Sequence, residues 1–403
     1  MPQRTVTTNS EAVRADLRRR VRAVLAADDP ADTDAVRFQQ ARFDAGLAWV
    51  HFPVGLGGMD IDREWQPYVD ALFEHAGAPG NRAELNGIGL GMAAPTILAC
   101  GSDDQRRRFL RPLWSGVEIW CQLFSEPDAG SDLAAVRTRA VRDGDDWIVN
   151  GQKVWTSAAH AAHLAILIAR TDPGRPKHAG LTYFICDMSD PGVRVRPLRQ
   201  LTGEAEFNEV FLTDVRIPDA NRLGAEGDGW RVANTTLNNE RVAIGGRAAP
   251  RESGMLGAVT RTWREHTAGH TPELQDRLLR LWVEAEAARL SAARLRQRVA
   301  TGQPGPETAA LKLSFARISQ RLSGFELELL GADGLRYDDW TMVRPDRVDF
   351  AGRGAGYRYL RAKGNSIEGG TSEILRNIIA ERVLGLPAEA RADKDIAWKD
   401  LIR

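Results

Sequence analysis

Cysteine is scarce in this sequence: its 403 residues include three, Cys100, Cys121 and Cys186. None of them has CxxC or metal-ligand spacing, which excludes a disulfide framework and a cysteine metal centre. Reduced thiols are typical of cytoplasmic proteins, and we expect that location here. The first residues carry charges at Arg4 and Glu11 and include no apolar run of signal-peptide length, so we also expect no membrane span.

The chain also lacks an excess of either charge, with 54 basic and 54 acidic residues. This balance does not favour nucleic acid or an anionic membrane as the main partner, and it leaves small ligands and other proteins. The length exceeds the size at which one hydrophobic core usually keeps growing. We therefore expect two or three domains and enough volume for a deep cavity.

Several common catalytic and phosphate-binding motifs are missing as well. There is no G-x-G-x-x-G after a strand and no G-x-x-x-x-G-K-[ST] loop. The seven histidines include no H-E-x-x-H, and no serine lies in G-x-S-x-G. The sequence therefore gives little support to metal-dependent hydrolysis or a serine triad, and we predict no metal site.

The apolar residues that are present follow two different periods. Helical spacing runs from Glu11 to about Gly116 and returns after Trp230. Between them lies "DWIVNGQKVW", in which Asn150-Gly151 predicts a tight hairpin turn. Further strand candidates follow at 163–169, 181–188, 193–198 and 209–217. The pattern predicts an α+β multidomain chain, with a helical domain over 1–119, a β domain over 120–225 and a helical bundle over 226–403.

One polar segment, "CQLFSEPDAGSDLAAVRT" from Cys121 to Thr138, combines glycine, hydroxyl and acidic residues after a strand-like start. Such a loop can bring backbone N–H groups and hydroxyls close to a planar polar ligand. It can equally be a surface turn, which these residue types also favour. The local chemistry leaves both interpretations open.

Five motifs resemble those of the acyl-CoA dehydrogenase family. "FSEPDAGSD" is similar to the family's T-E-P-x-A-G-S-D, "NGQKVWTS" to N-G-x-K-x-W-I-T, and "ELLGADG" to I-L-G-G-x-G. "GLAWVHFPVGLGG" resembles its N-terminal P-x-x-x-G-G loop, and "EGGTSEILRNIIAERVLG" its C-terminal E-G-T-S-x-I-x-R helix. The motifs occur in family order over nearly the whole chain.

The resemblance implies an N-terminal helical domain, a middle β-barrel and a C-terminal four-helix bundle, with FAD held between the last two. It implies that residues of the first two motifs contact the flavin and thioester, and these are Gln122, Phe124, Ser125, Ser131, Trp155 and Ser157. At the C-terminal motif it implies contacts of Thr371, Ser372 and Glu373 with the flavin or its ADP part. A helix start suits polar and anionic ligand groups.

Family members remove an α-proton with one glutamate, placed either directly before the Gly-Thr of the C-terminal motif or in an E-R pair on the first helix of the last domain. At the first position this chain has Gly369, so Glu368 is one residue early. At the second it has Glu240. Helical spacing places Leu237, Glu240 and Ile244 on one face, which makes Glu240 an inward carboxylate. We therefore predict Glu240 as the base, with Glu368 as the alternative and the Gly369 N–H as an oxyanion donor.

Two departures from the family pattern concern the FAD dinucleotide. The R-x-x-F-G motif is not recognisable in "RTWREHTAGHTPELQ", where Arg261 or Arg264 is a candidate substitute. Glu328 stands where the family often has a glutamine that binds the partner subunit's dinucleotide, three residues before Gly331, which the resemblance places there too.

The resemblance implies an FAD-dependent oxidation of an acyl-CoA thioester to the trans-2-enoyl-CoA, with electrons passed to an electron-transferring flavoprotein. It implies a homodimer or homotetramer, and a heteromer is also compatible. Two alternatives stay open: a flavin monooxygenase or oxidase on the same fold, and a non-catalytic or half-site subunit of a heteromeric acyl-CoA dehydrogenase.

Overall fold

The structure is a computed structural model that describes residues 10–244, 250–300, 305–337, 339–345, 353–390 and 393–401. The described chain runs from helices to strands and back to helices, as the two apolar periods predict. Its helices include none that is long and apolar enough to cross a membrane.

The N-terminal part consists of helices and contains a π-helical turn at Gly89–Ala93. Local signals set the helix ends: Asp34 caps one helix by accepting from Val36 N, and Ser102 forms a capping box with Gln105 in another. The helices are α1 Ser10–Ala27, α2 Ala35–Asp44, α3 Gln66–His75, α4 Ala94–Cys100 and α5 Asp103–Ser115.

The middle part is a curled seven-stranded sheet of order β1-β4-β2-β3-β7-β6, with β5 paired to β4. The strands are β1 Trp120–Leu123, β2 Arg139–Asp143, β3 Asp146–Ser157, β4 Leu164–Arg170, β5 Leu181–Asp187, β6 Val193–Pro197 and β7 Phe207–Pro218. Every residue of β4 is buried, since its alternate side chains enter different cores. Ile166 and Ile168 face the core shared with α4 and α5, whereas Ala165 and Leu167 face the core inside the sheet.

The predicted hairpin turn at Asn150-Gly151 is wrong, because both residues lie inside β3. The turn lies earlier in the chain, where β2 and β3 are joined between Asp143 and Asp146 and Gly144 has φ +62°. Asn150 lies at an irregularity in the pairing of β3 with β7 and exchanges two hydrogen bonds with Asp214. The sequence contains two possible turn signals seven residues apart, Asp143-Gly144 and Asn150-Gly151. The chain turns at the first, and strand pairing places the second inside β3.

Gly151 is required at this irregularity because a Cβ there would lie 2.7 Å from the Thr138 Cα atom. We expect Gly151→Ala to lower the free energy of unfolding by about 1–3 kcal/mol through overpacking. Gly80→Ala is the control, since a Cβ at Gly80 meets nothing within 4 Å. Urea denaturation of both variants tests this, and equal midpoints would contradict it.

The C-terminal part is a helical bundle, as the sequence predicts. Its helices are α6 Gly229–Ile244, α7 Gly254–Glu265, α8 Pro272–Ala300, α9 Thr308–Leu330, α10 Ala355–Gly364 and α11 Ser372–Ile378. Apolar side chains of α7, α8 and α9 form one core, including Val259, Leu281 and Phe325. Helix α6 instead packs against β5, α4 and the π-helical turn. It therefore joins the bundle to both other parts of the chain.

Candidate active site

A buried ion pair fixes the loop that follows β1. Lys153 on β3 is fully buried, and its Nζ donates to Glu126 Oε1 at 2.9 Å and to the Phe124 carbonyl at 3.0 Å. Glu126 also accepts from the N–H groups of Arg137 and Thr138 at the far end of the loop. The two motifs "FSEPDAGSD" and "NGQKVWTS" are therefore parts of one hydrogen-bonded unit.

Both charges of this pair respond to burial. Burial raises the pKa of Glu126, but Lys153 and the hydrogen bonds from Thr138 and Arg137 outweigh it, so the pKa is below its usual value. Burial lowers the pKa of Lys153 against the opposing effect of Glu126. The sequence prediction missed this pair. The available signal was a lysine inside the strand-forming run of β3, where a charge needs a partner.

Beside this unit, Trp155 presents a large aromatic surface. Its side chain is 58 % exposed, its φ is +60°, and its ring contacts Phe207 edge to face at 5.9 Å. A positive φ is costly for a bulky residue, and such strain is typical of functional sites. The next residue, Thr156, is fully buried, and its Oγ1 has no hydrogen-bond partner among the described residues. An exposed aromatic ring suits contact with a planar ligand.

The other residues predicted at the flavin side fall into two groups. Phe124 is buried with its ring edge to face on Tyr183 at 5.8 Å, and the Ser125 carbonyl accepts from Val154 N at 2.9 Å. These two residues therefore lie against β3 close to Trp155 and the half-buried Ser157. Gln122 lies on β1 and pairs with Ile166, whereas Ser131 is exposed at the far side of the loop.

The start of α11 is organised by its own residues. Thr371 is the N-cap and accepts from Ile374 N at 3.2 Å, Ser372 N donates to the Ser366 carbonyl at 3.0 Å, and Glu373 pairs with Arg376. Gly369 and Gly370, which precede it, have φ values of +62° and +92°. These conformations favour glycine, which explains the two glycines of the motif.

Glu368 is held by an ion pair. Both of its carboxylate oxygens accept from Arg361 on α10 at 2.9 Å, and the arginine side chain is 8 % exposed. Nearby, burial raises the pKa of Glu206 to about 6, with Glu368 adding to the effect and Arg361 opposing it. Glu368 therefore faces α10 and the segment before β7.

Glu240, the predicted base, lies near the end of α6 and is half-buried. Leu237, three residues earlier, packs against the same apolar core as Leu90 of the π-helical turn. The third residue of the predicted face, Ile244, has a side chain outside the described set. The position of Glu240 agrees with an inward carboxylate, and its role stays a prediction.

The two glutamates lie around one lysine of α9. Burial lowers the pKa of Lys312, and the carboxylates of Glu368, Glu240 and Glu373 oppose that effect, in decreasing order. The lysine Nζ donates to the Gly370 carbonyl at 2.6 Å. Both candidate bases and the glycine turn therefore act on this one lysine. Glu240 lies more than a hundred residues before Glu368 and the turn in sequence.

A chain of buried hydroxyls fixes the helix that carries Glu240. Thr236 on α6 lies one turn before Glu240, and its Oγ1 is 2.8 Å from Tyr183 Oη on β5 and 3.0 Å from Thr96 Oγ1 on α4. Thr96 in turn donates to the Met92 carbonyl at 2.7 Å. These hydrogen bonds link the N-terminal helices, the sheet and the C-terminal bundle one helical turn before Glu240.

We expect Thr236→Val to lower the free energy of unfolding by about 1–3 kcal/mol, because Tyr183 and Thr96 lose their common buried partner. Thr235→Val is the matched control, since among the described residues the Thr235 hydroxyl bonds only to the Arg231 carbonyl of its own helix, at 3.4 Å. Thermal unfolding in parallel distinguishes the two. Equal loss of stability in both variants would contradict the role of the hydroxyl chain.

The residues predicted to hold the dinucleotide are at the other end of the bundle. Glu328 forms a two-bond ion pair with Arg277 at 2.6 and 2.7 Å, Gly331 is exposed just after α9, and Arg264 pairs with Glu252. A cavity of about 300 Å³ between α8 and α9 lies beside Arg277. The structure does not bring this group together with Trp155 within one chain.

Comparison with known proteins gives a consistent result over the whole chain. Family models of acyl-CoA dehydrogenase match its N-terminal domain at residues 7–117, its middle domain at 121–215 and its C-terminal domain at 227–384. The chain belongs to the acyl-CoA dehydrogenase family. The expected fold, with helical outer domains around a β domain, is thereby confirmed.

Similar relatives of this acyl-CoA dehydrogenase come from Mycobacterium tuberculosis. Acyl-CoA dehydrogenase IpdE1 is 39% identical over 86% of both chains. Acyl-CoA dehydrogenase FadE34 is 42% identical over 87% of this chain but only 46% of its own length. Among solved structures, the "Tcur3481-Tcur3483 steroid ACAD" has 26% identity and a TM-score of 0.70, and the match covers 96% of this chain and 100% of that one.

Proposed function

We propose that this acyl-CoA dehydrogenase uses FAD to oxidise an acyl-CoA thioester to the trans-2-enoyl-CoA and passes the electrons to an electron-transferring flavoprotein. The observation that carries the proposal is the arrangement around Lys312. There Glu240 and Glu368 both act electrostatically on Lys312, whose Nζ donates to the Gly370 carbonyl, and Glu368 also forms an ion pair with Arg361.

The residues around Trp155 fit a flavin. The exposed indole offers a surface for a planar ring. The neighbouring Phe124–Ser125 backbone is fixed by Lys153 and β3. When bound, FAD supplies the acceptor for the hydride that leaves the β-carbon.

Glu240 takes the α-proton in this mechanism. Its carboxylate accepts the proton as the α–β double bond forms and the β-hydrogen leaves with its electron pair. The thioester oxygen gains negative charge in this step, and the Gly369 N–H is the protein donor that we assign to it. The hydroxyl chain at Thr236 holds α6 in place one turn before Glu240, and proton transfer requires a base on a fixed helix.

The relatives suggest the substrate class. A solved structure of 26% identity is described as a steroid ACAD, and we infer that the acyl group here is likewise bulky and derived from a steroid. The same description names two components. We propose that this chain also assembles in the cytoplasm with a second copy or a related subunit through α8, whose Leu279, Val283 and Leu290 are more than half exposed.

The test is to purify the protein, measure its FAD content, and mix it with butyryl-CoA, octanoyl-CoA and cholyl-CoA as a polycyclic probe. We expect FAD to be bound and one thioester product to be two hydrogens lighter by mass spectrometry. A protein that binds no FAD would instead indicate a non-catalytic subunit. Bound FAD with oxygen consumption and no enoyl product would indicate an oxidase or monooxygenase.

A further inference from the structure

Lys312 is a buried lysine for which the proposed reaction has no assigned role. It lies in the second turn of α9, its residue is 1 % exposed, and it is among the largest fully buried side chains. Placing an ammonium group in such an environment is costly unless it is hydrogen-bonded and close to opposite charge. Both conditions are met by groups of the candidate site.

The first of these groups is the Gly370 carbonyl, 2.6 Å from Lys312 Nζ. A second α9 residue, Gln320, holds the start of the same loop by donating to the Ala362 carbonyl and to Ser366 Oγ, both at 3.1 Å. Helix α9 therefore contacts the 362–370 segment through two side chains, Lys312 and Gln320, which are two helical turns apart. The lysine contact lies at the Gly369–Gly370 turn, where two glycines leave the backbone with the fewest conformational constraints.

The second group is a set of carboxylates. Glu240 on α6, Glu368 before α11 and Glu373 on α11 all act electrostatically on Lys312. Glu368 shares its charge with Arg361, and Glu373 with Arg376.

We propose that Lys312 is a positioning residue of the dehydrogenation site, which orients the Gly369–Gly370 turn through the Gly370 carbonyl. The inference rests on the proposed function. Because the turn carries the Gly369 N–H, this one side chain of α9 fixes the donor that we assign to the thioester oxygen.

The test compares Lys312→Met and Lys312→Arg with the control Lys363→Met, which removes an equal charge from a lysine on α10. Flavin reduction by the best acyl-CoA of the panel is measured over a range of substrate concentrations, which separates the limiting rate from the half-saturating concentration. We expect the limiting rate to fall by at least about tenfold in Lys312→Met, with the half-saturating concentration nearly unchanged. Lys312→Arg and Lys363→Met should keep the wild-type limiting rate. An unchanged limiting rate in Lys312→Met would overturn the positioning role.

A second measurement needs no turnover. Hydrogen exchange of peptides that cover 365–373 is compared in the same proteins without substrate. We expect Lys312→Met to exchange at least several-fold faster there than wild type, with Lys363→Met unchanged, and equal exchange would overturn the positioning role. If the wild type reduces no flavin with any acyl-CoA, the proposed function fails, whereas the exchange result still decides whether Lys312 holds the turn.

Discussion

Glu240→Gln is expected to keep FAD and acyl-CoA bound while its rate of flavin reduction falls about 10²–10⁴-fold, the range that a general base contributes. The amide has nearly the shape of the carboxylate but cannot accept the α-proton. Helix α6 should stay in place, since Thr236, Tyr183 and Thr96 hold it one turn away. Rapid mixing of the FAD-loaded variant with acyl-CoA under anaerobic conditions measures the effect.

Glu368→Gln is the matched control for this variant. It removes one carboxylate from the same neighbourhood of Lys312, but that carboxylate forms the two-bond ion pair with Arg361 and also acts on Glu206. We expect the rate of flavin reduction to fall by less than tenfold, because the loop loses its ion pair with Arg361. If Glu368→Gln lost flavin reduction and Glu240→Gln kept it, the base would be Glu368 on the C-terminal loop.

Lys153→Met is expected to lower the free energy of unfolding by about 3–5 kcal/mol, because it leaves the Glu126 carboxylate buried without its charge partner. Lys153 and Glu126 are 0 % and 6 % exposed, so little water reaches the group that remains. The loop that carries Phe124 should loosen, and the variant should lose FAD on gel filtration. Urea denaturation and flavin content measure the two effects.

The double variant Glu126→Gln/Lys153→Met separates charge from packing. It removes both ions, so it should recover part of the stability lost in Lys153→Met. Arg216→Gln, which breaks two exposed ion pairs with Asp143 and Asp146, should leave the free energy of unfolding nearly unchanged. Equal costs for the exposed and the buried changes would contradict this account.

The same pair predicts an acid limb of stability. The pKa of folded Glu126 is lower than its usual value, so its contribution is complete above the unfolded pKa of about 4.3 and is lost as pH falls below that value. Wild-type stability should therefore decrease between about pH 5 and the lower folded pKa. The double variant should show a shallower decrease.

Much of the fold followed from the periods and motifs of the sequence, because helical and strand spacing are local properties. The order of helices, strands and helices, the strand after His163 and the bundle after Trp230 agree with the structure. The turn at Asn150-Gly151 did not, because a second turn signal lies seven residues earlier and only the pairing of β3 with β2 and β7 decides between them.

The contacts that organise the candidate site were beyond the sequence for a similar reason. Lys153 and Glu126 are 27 residues apart, and Lys312 and Gly370 are 58 apart, so only the tertiary fold brings each pair together. By contrast, the demotion of Glu368 was a local inference from one extra glycine. The Arg361 ion pair agrees with that inference, and the roles of Glu240 and Glu368 both stay predictions.

The most direct test of the account is a single anaerobic mixing experiment on wild type, Glu240→Gln and Glu368→Gln, each loaded with FAD, using the acyl-CoA that wild type oxidises fastest. The visible flavin absorbance reports reduction without any electron acceptor. The account predicts rapid bleaching in wild type, bleaching within tenfold of that rate in Glu368→Gln, and almost none in Glu240→Gln. Bleaching of Glu240→Gln at the wild-type rate would contradict it.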